Sequence, residues 1–131
     1  MILALNETRK TLIASGLERS RERTSKTAVH ERAIAGGGGV WIEDCRQIDA
    51  TGMTSAVDVI FLDAGSRVIE GSSEIRPGTK MLEVEGAVAA LALPSGTNRF
   101  SQTEPGDRIL VETVGAELPR ASSVGRRSRL L

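Results

Sequence analysis

The sequence predicts a β-rich α+β domain: a small curled or barrel-like, mostly antiparallel sheet with one or two short helices. Three observations predict it. Short apolar runs recur from residue 40 onward, each closed by Gly, Pro or Asp-rich turn residues. "KMLEVE" alternates Met81, Glu83 and Glu85 against Leu82 and Val84, the period of a strand with one wet face. Helical composition is confined to a single stretch before residue 36 and to one possible turn near residue 98. With 131 residues the chain is one domain by length, able to bury about two thirds of the surface its unfolded form would expose. Residues 1–118 are read as that domain and 119–131 as a disordered basic tail.

Taken in order, "KTLIASGL" (10–17) reads as a first strand ended by Gly16 and then by charge. "LERSRERTSKTAVHERAIA" follows, rich in helix formers with Ser20 as a candidate N-cap, but Leu17, Ala28, Val29, Ala33 and Ile34 make only a thin apolar stripe. A helix or a partly ordered excursion fits. "GGGG" (36–39) lacks the Lys-Ser/Thr of a phosphate-binding loop and leads into the β-branched "VWI", so a plain flexible loop is expected. "VWIE" and "VDVIFLD" are strands; the turn "AGS" returns the second into "RVIEGSSEI", predicting a hairpin over 57–75. "RPGTK" is a Pro-Gly turn before the alternating strand. "AVAALALP", eight residues ended by Pro94 between strands, suits a buried strand better than a helix. "SGTNRFSQ" allows one helical turn, "EPGDR" another chain reversal, and "RILVETV" a closing strand. The tail "RASSVGRRSRLL" carries four arginines and no acid, the pattern of a solvated segment or an electrostatic tether.

Composition narrows the function. Trp41, Phe61 and Phe100 are the only aromatics, too few for a base-stacking platform, and 17 basic residues balance 17 acidic ones, so no global field draws in nucleic acid or an anionic membrane. No apolar window approaches the 18 or so residues of a membrane span, and "MILALNETRK" has neither the basic leader nor the length of a secretory signal. One cysteine, Cys45, rules out an internal disulfide and a Cys-pair zinc site within the monomer, which points to a reducing, cytoplasmic compartment. No motif calls for a cofactor.

The densest chemistry lies in "DCRQIDATGM" (44–53), directly before "VDVIFLD". Arg46 has the fork that binds a carboxylate or phosphate, or it pairs with Asp49 or Asp58. Asp49 and Asp58 are an acid–base pair or a hard-cation site if they converge, otherwise a cap and an ion-pair partner. Cys45 with His30 has the makings of a nucleophile and base, but nothing in the sequence brings them together, and a small buried thiol is the simpler reading. Cys45 with Met53 offers two soft sulfurs without histidine support, so core packing again suffices. Asp58 sits on the face of Ile60 and Leu62 in a strand with no polar face, hence half buried and in need of partners; Arg46, Thr51, Thr54 and Ser55 are the nearest in sequence.

"GGGGVWIEDCRQIDATGM", "VDVIFLDAGSRVI", "ALALPSGT" and "PGDRI" together resemble, in order and spacing from about residue 6 to 113, the bacterial and archaeal family called domain of unknown function 192. The resemblance implies a small β-rich domain with short helices and no established activity. Cys45, Arg46, Ile48, Met53 and Asp58 match its pattern. Asp44 stands where the family has Pro, Asp49 where it has His, and Ala56 where it has Pro, while the family's helical pattern survives only as "TSKTAVHE". A mechanism needing that imidazole could not run through Asp49, because a carboxylate titrates near pH 4. The expectation is a small non-catalytic binding or accessory domain that recognises a polar or anionic ligand, or a protein partner, through Arg46, Asp49 and Asp58 with Cys45 and Met53 beside them. A metal-assisted or hydrolase-like enzyme using the two aspartates is the alternative, and a purely structural cluster the third.

Overall fold

Residues 1–21, 34, 36–50, 53–79 and 82–115 are described by this computed structural model. Their strands are β1 (Ile2–Asn6), β2 (Thr11–Arg21), β3 (Val40–Glu43), β4 (Gln47–Ile48), β5 (Val57–Leu62), β6 (Val68–Ile75), β7 (Leu82–Glu83), β8 (Ala89–Pro94) and β9 (Ile109–Thr113), with one short helix, α1 (Thr97–Ser101). Seven strands form one sheet in the order β6-β5-β8-β3-β2-β1-β9, and β4 and β7 form a separate ribbon. Every pairing in the large sheet is antiparallel except β2 with β3. The expected β-rich, mostly antiparallel sheet is present, with a parallel pair inside it.

Alternation along the central strands explains why the sheet has two cores. On β5, Val57, Val59 and Phe61 face one way and Ile60 and Leu62 the other; on β8, Ala90 and Ala92 oppose Leu91 and Leu93. The first set packs with Val40, Ile42, Ile48 and Val84, so the β4–β7 ribbon covers that face. The second set meets Ala4, Ile13, Leu17 and Ile109 from β1, β2 and β9. Residues at opposite ends of the strand order touch because the sheet curls. Its first and last strands are tied at one corner, where Arg67 bridges Arg108. There the N–H of Val68 donates to Asp107 O (2.9 Å) and that of Ile109 to Ser66 O (2.9 Å). β1 lies between β2 and β9, Ile2 opposite Thr113, and the N-terminal ammonium donates to Val114 O at 2.8 Å.

The hairpin over 57–75, the buried strand ended by Pro94, the helical turn and the closing strand occur where the sequence places them. The start of the chain differs. A strand precedes the expected first one, and β2 does not stop at Gly16 but continues to Arg21, so Ser20 belongs to a strand and is no N-cap. Pairing with β1 up to Leu17 and with β3 from Glu18 holds it extended against its helical composition, a tertiary override of local propensity. The glycine run is not a loose loop either. A Cβ on Gly39, whose φ is 119°, would lie 2.6 Å from Ala92 O, and one on Gly38 would lie 2.5 Å from Gly16 O. Backbones pack too closely there for any side chain. The alternating strand after residue 80 is reduced to Leu82–Glu83, paired with Gln47–Ile48. His30, Thr51, Met81 and the tail from 116 onward lie outside the described residues.

Candidate functional site

Asp58 sits on β5 with none of its surface exposed. Its carboxylate accepts three backbone N–H groups: Glu74 on Oδ1 at 2.7 Å, and Gly96 and Asn98 on Oδ2 at 3.1 and 2.8 Å. β6 is bulged to make the first of these. Val57 pairs with Ile75 and Val59 with Ser72, so β6 carries one residue more, and Glu74 takes a φ of 53°. The other two belong to the start of α1, whose N-cap Gly96 has no side-chain cap. Asp58 therefore caps that helix from another element, and Asn98 Nδ2 adds a bond to Val59 O at 3.3 Å. The sequence points to a half-buried Asp58 with partners among Arg46, Thr51, Thr54 and Ser55; the side chain is instead fully buried, and it anchors β6 and α1 rather than the 44–58 loop.

The remaining candidates scatter. Cys45 follows Asp44, whose φ is 56°, and is 2 % exposed in the core under the β4–β7 ribbon; its N–H donates to Val88 O (3.1 Å) and its thiol to Gln47 O (3.2 Å). Arg46 lies exposed on the ribbon, with Nε 3.6 Å from Glu83 Oε2 across the β4–β7 pair, so its partner is neither Asp49 nor Asp58. Asp49 is half buried and engaged within the chain. Among the described residues no three His, Cys, Asp or Glu side chains stand close enough to hold a metal ion.

Met53 lines a cleft. An apolar cleft of about 220 Å³ has Ile34, Met53, Val57 and Pro94 as its walls and the exposed Ser55 and Ser95 on its rim. Ser95 also borders a second hollow of about 300 Å³ formed with Ile13, Gly96, Thr97 and Phe100. Phe100 itself is 87 % exposed. Sequence reasoning missed this surface because its walls come from three separate segments. The one signal available was that "PSGTNRF" puts an aromatic, Phe100, in a helical turn too short to bury it.

A second polar centre, also missed, lies at the closing corner. Asp107 is 3 % exposed, and its Oδ2 accepts Asn6 Nδ2 (2.9 Å), Arg9 Nε (3.0 Å) and the N–H of Glu104 (3.0 Å). Burial pushes its carboxyl upward, but these hydrogen bonds and the Arg9 charge outweigh it and hold the group below the usual carboxylate range. The bond to Asp107, with its charge, raises the Arg9 guanidinium in turn. Arg9 also reaches Glu104 (3.0 Å), and Arg108 lies 3.4 Å from Glu7. Arg9 and Arg108 of this corner are thus matched by carboxylates, while the exposed Arg67 donates to Gly106 O at 3.0 Å.

No family profile and no curated protein matches the sequence. Two solved structures share the fold. A protein of unknown function from Novosphingobium aromaticivorans DSM 12444 superposes with a TM-score of 0.61 at 16% identity, over 83% of this chain and 82% of that one. A proposed transcription regulator from Sinorhizobium meliloti 1021 superposes with a TM-score of 0.63 at 14% identity, over 84% and 91% of the two chains. At these identities the likeness establishes the fold alone. No helix among the described residues is long and apolar enough to cross a membrane.

Proposed function

We propose that this chain belongs with the domain of unknown function 192 and is a small, cytoplasmic, non-catalytic binding module whose working surface is the cleft between residues 53–57 and 94–95. The cleft carries the reading: it is concave, walled by Ile34, Met53, Val57 and Pro94, and edged by two hydroxyls, the make-up of a site that takes an apolar group and orients it by its polar end. Met53 suits such a site, since an unbranched thioether adapts to the shape it meets. The ordered motifs from "GGGGVWIE" to "PGDRI" support the family assignment. Against the two-aspartate enzyme stands Asp58, whose fully buried carboxylate is already engaged by three backbone N–H groups. Arg46, Asp49 and Asp58, where the sequence points to a polar or anionic ligand or a protein partner, do not line this cleft. Regulation of transcription, the role proposed for one structural neighbour, draws no support from the corner where Arg9 and Arg108 meet Glu104, Asp107 and Glu7.

The test is a titration with indole, a ring-sized apolar probe, followed through the backbone amide resonances. Shifts centred on Met53, Ser55, Val57 and Ser95 are expected. Shifts confined to residues 44–49, or none at millimolar indole, would remove the cleft as the working surface.

A further inference from the structure

We propose that the leucine-bearing face of β2, β1 and β9 is a dimer interface, packed against the same face of a second copy of this chain. The inference is independent of the cleft, none of whose lining residues lies on these strands.

One face of the large sheet is treated differently along its width. Over β5, β8 and β3 it carries Val59, Phe61, Ala92 and Ile42, and the β4–β7 ribbon roofs it with Ile48 and Leu82. On β1, β2 and β9 the residues that join the core on the opposite face are Ala4, Ala14 and Ile109. By alternation Leu3, Leu5 and Leu110 take the ribbon side, and Leu12, opposite Leu5, takes it with them. Register gathers them into a patch. Leu5 stands between Leu12 on one neighbour and Leu110 on the other, an apolar row across three strands, with Leu3 two residues further along β1. None of the four belongs to either core. Leu12 is 53 % exposed, and the other three are half buried. A contiguous apolar patch held on paired strands marks a contact surface.

The charges at its two ends select the occupant. On one side of the leucine row stands Glu112, opposite Leu3, exposed and in no ion pair among the described residues. On the other side stand Arg108, 3.4 Å from Glu7, and the exposed Lys10 at the turn into β2, so this end carries one net positive charge. An anionic lipid or nucleic-acid surface would be repelled by Glu112 and Glu7. A second copy is complementary instead. A twofold axis lying along the leucine row stacks row on row with the strands aligned, and it turns each Glu112 over the other copy's Arg108. The guanidinium has five donors, enough for Glu7 and the incoming carboxylate together. Because the sheet is curled, the two faces meet over a small area, and the dimer is a weak one.

Sedimentation equilibrium of the full chain from about 10 μM to about 1 mM should show the wild type dimerising, and Leu12→Asp at least about tenfold more weakly. Both Leu12 and the charged positions are exposed, and circular dichroism checks that every variant folds. Charge reversal reads the symmetry. Glu112→Lys and Arg108→Glu should each weaken self-association, whereas an equimolar mixture of the two, in which every reversed charge meets its opposite, should associate about as tightly as the wild type. A wild type that stays monomeric throughout this range overturns the inference. So does a Leu12→Asp chain that dimerises as well as the wild type, or a mixture that associates no more tightly than its components.

Discussion

Replacing Asp58 removes one acceptor from three donors, and the three do not suffer equally. Glu74 and Gly96 are exposed residues, so their N–H groups regain water at a net loss of about 0.5–1 kcal/mol each. The Asn98 N–H lies buried, and leaving it without a partner costs about 1–3 kcal/mol. Relief from burying a charge offsets part of this, so Asp58→Ala should lose about 2–4 kcal/mol in all. A domain of this kind has about 5–15 kcal/mol to lose and stays folded. Asp58→Asn is the sharper test because it keeps the volume. Whichever way the amide turns, its one oxygen serves either Glu74 or the Gly96–Asn98 pair, and its NH₂ then points at an N–H across less than about 3.2 Å, donor against donor. It should cost nearly as much as alanine. Urea titrations at neutral pH give the energies, and hydrogen exchange at the Asn98 amide locates the damage: protected in the wild type, fast in both variants. An Asn variant within 0.5 kcal/mol of wild type, or an Asn98 amide still protected in Asp58→Ala, would refute the capping argument.

Four further outcomes follow from the geometry. Asp107 has a folded-state pKa below its unfolded value near 3.9, so its stabilisation is present above about pH 4 and is lost as pH falls through the folded value; urea midpoints between pH 6 and 2 should fall more steeply for the wild type than for Asp107→Asn. Gly39→Ala forces a Cβ against Ala92 O at a φ of 119° and should lower stability by more than about 2 kcal/mol, read by thermal melts. The Cys45 thiol, buried and donating to Gln47 O, should react with a disulfide reagent far more slowly in native protein than in denaturant; native reactivity matching that of a small free thiol would contradict its placement. Arg46→Ala, which breaks only an ion pair between side chains more than half exposed, should change stability by less than about 1 kcal/mol in the same urea assay.

What the sequence revealed depended on how far each signal had to travel. β8 was legible because eight apolar residues stopped by Pro94 form a local pattern, and the burial of Asp58 was legible because Val57, Val59, Ile60 and Leu62 surround it in the chain. Its partners were not, since they lie 16, 38 and 40 residues away and are backbone groups that carry no side-chain signature. The end of β2 carries a helical signature, since Leu17, Glu18, Arg19 and Arg21 after Gly16 are helix formers; only the neighbouring β1 and β3 keep it extended. The opening "MILALN" weighs in sequence only against a targeting signal, although Ala4 and Asn6 of β1 are fully buried. The polar cluster at 44–58 looked like a site because its residues are neighbours in sequence, yet the fold sends Cys45 inward, Arg46 out to Glu83 and Met53 alone to the cleft. The cleft drew on residues 34, 53–57 and 94–95, a conjunction that no single window contains.

The pairing of β1 with β9 bears on how the molecule is assembled in time. Ile2 stands opposite Thr113, so the outer edge of the first strand waits for the last, and this contact spans nearly the whole described chain. Such distant pairings make folding slow, because the entropy of closing the intervening loop is lost before the contact repays it. Until β9 arrives, the β1–β2 hairpin offers Leu3 and Leu5 on an open edge to any passing strand, the hazard that folding chains are most exposed to. The adjacency of Met1 and Val114 also gives a remedy. Joining Val114 to Met1 through a short linker, without the residues that follow, and opening the chain at the exposed Pro105–Gly106 turn, which lies inside no hairpin, would keep every strand pair while turning the most distant one into a hairpin, and the permuted chain should fold faster than its parent at comparable stability.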